Sequence, residues 1–295
     1  MTKSLAPLFL SHGSPMTALE PREAGAFWQQ LGPALAAVAE RPRAILAISA
    51  HSLAHSPAGQ PVLMAAAQHT TVHDFSGFPE PLYRLRYDAP GAPTLAPRVA
   101  PRVAALVAAA GLSIHTTADG GLDHGIWAPL RFIWPEADIP VLPLAFPPDW
   151  SPARLFALGQ ALAPLADEGV LVYGSGSLTH NLRLVFGGSR PPIDAPEIPE
   201  SAAFRSWFAE RCAAADWPAL LDYRRQSPHG VLMHPTDEHL LPFYVAAGAG
   251  GGARPAAQRL HASLTYGGLA MDAYAFGPAA GALAAALAGQ APVGT

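Results

Sequence analysis

Short apolar runs, each followed by a loop, recur along this chain and constrain its fold more than any other feature. They lie at residues 5–10, 44–50, 141–145 and 169–174. Their length and composition are typical of buried strands. Because longer helix-like segments separate them, the sequence predicts an α/β fold with a mainly parallel central sheet flanked by helices.

Four segments have the composition of helices: residues 24–40, 94–110, 152–166 and 279–288. The glycine-rich run at 248–252 predicts a flexible surface loop, because glycine supplies no side chain to bury. The chain has no internal repeat at a solenoid period. A length of 295 residues fits one enlarged domain, and we expect a single domain over residues 1–295.

Composition and charge narrow the class of protein. Half of the residues are hydrophobic and 14% are charged, as in a globular chain. A net charge of -4 gives no basic footprint for nucleic acid. The single cysteine, Cys212, cannot form an intramolecular disulfide, so we expect a reducing, cytoplasmic location. Apolar stretches fall well short of the roughly 20 residues of a membrane span, and we expect no membrane partner.

Three histidines each follow a strand-like run. His12 follows residues 5–10, His51 follows residues 44–50, and His180 follows residues 170–173 after a turn of small residues. Ligands collect beyond the carboxyl ends of strands in α/β sheets, and a neutral imidazole there can bind a metal while its other nitrogen is held by an acceptor. One such histidine could simply be bonded to backbone, but three in the same arrangement favour a site.

Further histidines lie in turn-rich sequence. A glycine follows His124, which lets the backbone approach a ligand, and a proline restricts the conformation of His234. His239 is interpreted differently. Asp237 and Glu238 precede it in a pattern typical of a capped helix start, which gives His239 a structural role.

The stretch at residues 69–79 mixes histidines with aromatic and turn residues. It could form a lid or one wall of an aromatic pocket, and ordinary loop packing is the alternative. No arrangement favours a functional role for the remaining histidines, His55, His115, His229 and His261.

Two other chemistries are disfavoured by the small-residue turn at 174–177. The turn lacks the lysine of a nucleotide-binding loop and the spacing of a dinucleotide fingerprint. Its serines are also out of frame for the nucleophile elbow of a serine hydrolase.

Seven short motifs occur in order over most of the chain: SHGSP at 11–15, SAH at 49–51, HDFSGFP at 73–79, LDHG at 122–125, GSGS at 174–177, THN at 179–181 and HPT at 234–236. Together they resemble the class III extradiol ring-cleavage dioxygenases of the DOPA 4,5-dioxygenase type. The breadth of the match identifies a family far better than it identifies a substrate.

The resemblance implies one α/β catalytic domain that holds a non-haem Fe(II), chelates a catechol and opens its ring with O₂. It implies that His12, His51 and His234 are the metal ligands. His180 would be the acid/base that takes and returns a catechol proton, and His124 would face the bound oxygen or substrate. A histidine near neutral pKa suits that proton transfer.

The same resemblance implies a substrate-binding set of Ser14, His73, Phe75 and Phe78. The partners would then be a small aromatic diol and O₂, with neither nucleic acid nor membrane, and a homo-oligomeric state stays open. Many Fe(II) oxygenases use two histidines and one carboxylate, so Glu238 is an alternative third ligand to His234. Three imidazoles also suit Zn²⁺, which a purified sample could carry.

Two other functions remain open for the same histidines. A zinc-dependent hydrolase would use a metal-bound hydroxide and would work without O₂. A non-catalytic protein would use the cleft to hold a metal or an aromatic molecule, and turnover of any substrate would exclude it.

Overall fold

The computed structural model describes residues 4–56, 58–189 and 191–290. Its strands, numbered in chain order, are β1 Leu8–Ser11, β2 Ala44–Ser49, β3 Val62–Met64, β4 Thr70–Thr71, β5 His115–Thr117, β6 Gly121–Leu122, β7 Val141–Ala145, β8 Val170–Gly176, β9 Ala257–His261, β10 Leu264–Thr265, β11 Leu269–Ala270 and β12 Ala273–Phe276.

Eight of these strands form one sheet in the order β5-β3-β7-β2-β8-β1-β12-β9. Its centre, from β7 through β2 and β8 to β1, is parallel, with partners such as Leu46 and Val172 in register. Strands β12 and β9 add an antiparallel edge, and β3 is antiparallel to β7. The predicted α/β class with a mainly parallel central sheet is confirmed.

The helices begin and end as follows: α1 Arg22–Val38, α2 Glu80–Tyr83, α3 Ala92–Leu95, α4 Val99–Ala109, α5 His124–Ile133, α6 Pro152–Leu162, α7 Leu182–Phe186, α8 Pro199–Ala213, α9 Trp217–Leu221, α10 Tyr223–Gln226, α11 Gly230–Met233, α12 Leu241–Ala249 and α13 Ala280–Ala288.

Helices cover both faces of the sheet, which explains why its central strands are apolar at almost every position. In β1, Phe9 packs into the core beneath α6 and α12, while Leu8 and Leu10 pack into the core beneath α1 and α5. Alternate side chains of a strand point to opposite faces, so a strand covered on both faces is apolar along nearly its whole length.

The predicted segments correspond to real elements with shifted ends. The run at 5–10 became β1, which starts three residues later, and the run at 169–174 became β8, which continues to Gly176. The predicted helix at 152–166 became α6 followed by a 3₁₀ turn at Ala163–Ala166. The segment at 94–110 divides between α3 and α4.

The glycine-rich run is not wholly a surface loop, and that prediction was wrong for Gly248. This residue is buried inside α12, where an added Cβ would lie 2.1 Å from the carbonyl oxygen of Phe156 in α6. A Cβ on Gly159 of α6 would lie 2.1 Å from the carbonyl oxygen of Val245. The two glycines therefore let the helix backbones touch.

Within the described ranges, none of the helices has both the length and the apolar character that a membrane crossing needs. Both ends of the domain predicted over residues 1–295, at 1–3 and 291–295, lie outside those ranges.

Candidate metal centre and active-site cavity

Three histidines meet at one edge of the sheet because their strands are parallel neighbours. Strand β8 pairs with β1 on one side and with β2 on the other, and all three end at the same level. His12 follows β1 and donates its backbone N–H to the carbonyl of Gly176, 2.9 Å away. His51 follows β2, and His180 lies four residues beyond β8.

A cavity of about 310 Å³ lies at this edge. We call it the histidine cavity, because five imidazoles line it: His12, His51, His124, His180 and His239. The rest of its wall is mainly apolar and includes Phe75, Phe78, Leu182, Phe186 and Leu269.

The start of α5 brings His124 into the cavity. Asp123 is the N-cap of this helix, and its carboxylate accepts from the backbone N–H of Ile126 at 3.2 Å. The same buried carboxylate accepts from the hydroxyls of Ser49 at 2.7 Å and Ser52 at 2.6 Å. Burial raises the pKa of Asp123 and the two hydroxyls oppose that shift, so Asp123 joins the end of β2 to α5.

The hydrogen bonds of His12 fix which of its nitrogens carries the proton. The hydroxyl of Ser175 donates to the carbonyl oxygen of Gly125, 2.5 Å away. Because that hydroxyl has one hydrogen, it must accept from Nδ1–H of His12, which lies 2.9 Å away. Burial, and then the charge of His51, hold the pKa of His12 well below its usual range. The ring is therefore neutral, and its Nε2 has a free lone pair.

Asp74 orients two further imidazoles. One of its carboxylate oxygens lies 3.2 Å from Nδ1 of His51 and 2.9 Å from Nδ1 of His124, and the other accepts from the backbone N–H of His124. Burial raises the pKa of Asp74, but the interactions with these histidines outweigh it and lower the pKa to about 2. The ionised carboxylate accepts from both Nδ1–H groups and leaves both Nε2 atoms for the cavity.

His239 is held in the same way by Glu238, whose carboxylate oxygen lies 3.1 Å from Nδ1 of His239. The His239 ring lies 5.0 Å from the ring of His51 and 5.6 Å from that of His12, centre to centre. Burial holds the pKa of His239 well below its usual range, so its Nε2 also has a free lone pair.

This arrangement fits a metal ion. Nε2 of His12 and Nε2 of His51 face each other at 3.1 Å. Burial lowers the pKa of His51 to about 3, so a shared proton is disfavoured and two lone pairs point at one another. Two nitrogens that each bind one cation at about 2.1 Å can lie this close. Ligand atoms of His12, His51 and His124 all lie within 4.8 Å of one another, and those of His180, Glu238 and His239 form a second such group.

The structure does not bring His234 together with the other two predicted ligands. Its side chain is fully buried, Nε2 lies 2.8 Å from the carbonyl oxygen of Leu178, and Phe204 and Tyr223 pack against its ring. It therefore contacts the loop that carries His180. The alternative ligand Glu238 lies beside His239 and His180.

The interpretation of His239 as a structural helix-start residue was wrong. Helix α12 begins at Leu241, two residues later, and the His239 ring lines the histidine cavity. The spacing between His234 and His239 could not show which of the two faces the cavity. The local backbone conformation decides the direction of a loop side chain.

His180 stacks on His239 with the ring centres 3.3 Å apart. Its backbone N–H donates to the carbonyl of Met233 at 3.0 Å, which ties its loop to the end of α11. Burial, and then the charge of His234, lower the pKa of His180 to about 4, so the imidazole is neutral at physiological pH.

The predicted substrate-binding residues fall in two places. Ser14, Phe75 and Phe78 line the histidine cavity. His73 does not line it but supports the wall from behind, since its ring lies 5.7 Å from that of Phe75 and its Nε2 lies 3.2 Å from the carbonyl oxygen of Leu85.

Sequence reasoning missed the residues that orient the histidines. Asp74 stands inside the HDFSGFP motif, and its place beside a histidine was the available signal. Ser175 stands inside GSGS, where small size alone suggested a turn.

Comparisons with known proteins give the family of this chain. The family model described as the catalytic LigB subunit of aromatic ring-opening dioxygenase matches residues 7–277. A 4,5-DOPA dioxygenase extradiol of Beta vulgaris is 37% identical over 269 residues, which cover 91% of this chain and 95% of that protein. One from Escherichia coli K12 is 36% identical over 256 residues, covering 84% and 86%. The crystal structure of an uncharacterized Escherichia coli K12 protein matches with a TM-score of 0.71 and 28% identity, and covers 92% of this chain and 100% of that chain.

The chain therefore belongs to the LigB family of aromatic ring-opening dioxygenases. Within that family it is a class III extradiol ring-cleavage dioxygenase, as the seven sequence motifs predicted.

Proposed function

We propose that this enzyme uses Fe(II) and O₂ to open the aromatic ring of a small catechol, either DOPA-like or a related diol, beside its two hydroxyls. The observation that carries the proposal is the set of imidazoles whose unprotonated Nε2 atoms face one cavity. Relatives named as 4,5-DOPA dioxygenases over most of the chain support this substrate class.

We assign His12 and His51 as two of the metal ligands. The third comes from His124, whose ligand atom lies within 4.8 Å of those of His12 and His51, or from His239, whose ring lies 5.0 Å from that of His51 and 5.6 Å from that of His12. Three ligands leave positions open for other molecules. We do not assign His234 as a metal ligand. We propose instead that it holds in place the loop that carries His180.

The bound metal supplies Lewis acidity that favours the deprotonated diol and a redox path between ring and O₂. His180 is neutral and lines the cavity, so its imidazole can accept a proton from a diol hydroxyl and later return it. Its stacking on His239 fixes the plane of the ring beside the donor cluster.

Aromatic residues complete the cavity. Phe75 and Phe78 pack edge to face with ring centres 5.3 Å apart, and Phe75 also lies 5.7 Å from the ring of His124. Such a wall can hold a planar ring by its faces and limit the water around the diol.

The donors are mainly imidazoles, which Zn²⁺ also accepts, and we propose that the purified protein carries some zinc that does not support turnover. We also propose that the protein is cytoplasmic, since its single cysteine, Cys212, is buried and unpaired.

The test is anaerobic loading of the metal-free protein with Fe(II), followed by air and a set of catechols. Oxygen uptake and the absorbance of a yellow ring-opened product are recorded together. Zinc-loaded protein and a His12→Ala variant serve as controls. We expect rapid uptake only with Fe(II) and intact His12.

Absence of uptake with every catechol, in protein shown to hold a full equivalent of Fe(II), would overturn the proposal. Substrate turnover by the zinc-loaded protein without O₂ would instead establish a hydrolase. Metal analysis of His124→Ala and His239→Ala identifies the third ligand, because loss of the true ligand removes the metal.

A further inference from the structure

A second cavity adjoins the histidine cavity and shares Ser14, Phe78 and Phe186 with it. We call it the mouth cavity. Its volume is about 500 Å³. Because the two cavities share walls, a molecule bound in the inner one can extend into the outer one between the rings of Phe78 and Phe186.

The orientation of a catechol determines which part of it reaches the mouth cavity. Its two hydroxyls must face the Nε2 atoms of the imidazoles to chelate a metal held there. A substituent on the opposite side of the ring therefore points away from the imidazoles. The two cavities meet at Ser14, Phe78 and Phe186, so we infer that the end of such a side chain reaches the mouth cavity past these residues.

Among the described residues that line the mouth cavity, Glu20 alone carries an ionisable side chain, and it is exposed. No lysine or arginine lines either this cavity or the histidine cavity within the described ranges. A third cavity next to the mouth shares Ser14, Met16 and Glu20 with it, and the other charged residues described in its wall are Glu23, Asp194 and Arg22. Among the described residues that line the mouth cavity and this third cavity, three side chains are acidic and one is basic.

We propose that the entrance selects catechols whose side chain ends in a positive charge, and that Glu20 is the specificity-determining residue. A catechol whose side chain ends in a carboxylate meets a like charge at Glu20 and no described basic partner in the two connected cavities. This inference rests on the proposed function, because it assumes that the diol faces the imidazoles.

Three catechols with side chains of similar length and different charge test the inference: dopamine is a cation, propylcatechol is neutral and dihydroxyphenylpropionate is an anion. Each is measured for kcat/KM by oxygen uptake with Fe(II)-loaded enzyme. Each is also titrated anaerobically by calorimetry, so that the dissociation constant is obtained without turnover.

We expect kcat/KM and affinity to fall from dopamine to propylcatechol to dihydroxyphenylpropionate. A Glu20→Gln variant should lose roughly two- to fivefold of the preference for dopamine over propylcatechol, the range of an exposed ion pair. Its kcat/KM for propylcatechol should change much less than its kcat/KM for dopamine, because a neutral side chain forms no ion pair with Glu20. Raising the salt concentration should also reduce the preference of the wild-type enzyme for dopamine over propylcatechol, because salt screens the charge of Glu20.

Glu23→Gln is the matched control. It removes the same charge from a residue that lines the neighbouring cavity but not the mouth cavity, so it should change the preference less.

Equal or better use of dihydroxyphenylpropionate than of dopamine would overturn the inference, and so would an unchanged preference in Glu20→Gln. The neutral propylcatechol separates this failure from failure of the proposed function. If none of the three catechols gives oxygen uptake with a full equivalent of Fe(II), the failure lies with the proposed reaction, and the anaerobic dissociation constants still decide the charge preference.

Discussion

Replacing Ser175 with alanine should weaken metal binding although Ser175 is not among the residues that line the histidine cavity. Its hydroxyl donates to the carbonyl of Gly125 and accepts from Nδ1–H of His12. In the variant the Nδ1–H of His12 loses its acceptor, and the ring can rotate or place its proton on Nε2. Either change removes the lone pair that we assign to the metal.

The size of the effect follows from the burial of the group. His12 is buried, and a buried donor left without an acceptor costs roughly 1–3 kcal/mol, or about a 5- to 150-fold change in an equilibrium constant. Loss of a residue that orients a metal ligand typically costs roughly 10- to 100-fold in metal affinity or activity. We therefore expect the Fe(II) affinity of Ser175→Ala to fall by roughly 10- to 100-fold.

The assay is competition for Fe(II) against a chelator, monitored by absorbance, on wild type and two variants. Tyr173→Phe is the matched control. It removes a hydroxyl that donates to the same Gly125 carbonyl at 3.0 Å but has no hydrogen bond to His12. Equal Fe(II) affinity in Ser175→Ala and Tyr173→Phe, with both folded by circular dichroism, would refute the reasoning.

Three further predictions follow from contacts at or near the site. Asp74→Asn should lose metal affinity by roughly tenfold or more, because an amide oxygen accepts less strongly from the two imidazoles that Asp74 orients; chelator competition checks this. His234→Leu should keep its metal but lower kcat, whereas His234→Gln, which can still donate to the carbonyl of Leu178, should recover much of it; metal analysis and steady-state kinetics decide. Gly248→Ala should destabilise the fold by about 1–3 kcal/mol through overpacking, whereas Gly281→Ala, in open space on α13, should not; urea unfolding compares them.

The central strands could be predicted because burial on both faces leaves a strong sequence signal. Residues 44–49 and 141–145 are apolar at almost every position, and they form β2 and β7 with nearly the expected ends. Strands of the antiparallel edge gave no such signal. β9 is partly exposed and carries Gln258, Arg259 and His261, so its pattern resembles that of a polar loop.

The histidines that follow strands were also predictable, because the sheet itself sets their place. His12 and His51 follow parallel neighbours of β8 and must meet at one edge. His234 and His239 lie in a segment of turns between α11 and α12, where no periodicity fixes the direction of a side chain. The same limit explains why the buried position of Gly248 was not predicted, since contact between two helix backbones depends on packing that composition does not reveal.

Orientation of the imidazoles depends on contacts distant in sequence. Asp74 is 50 residues from His124, and Ser175 is 163 residues from His12. Such pairs can be recognised only after the strands that carry them have been placed in the sheet.

The most direct test of the central claim is mass spectrometry of the product formed by Fe(II)-loaded enzyme from a catechol under oxygen-18 gas. An extradiol dioxygenase places both labelled atoms in the ring-opened product, apart from any exchange with water, which a control in labelled water measures. We predict a product that contains two labelled atoms. A product whose added oxygen comes only from water would contradict ring cleavage by O₂ and would favour metal-assisted hydrolysis.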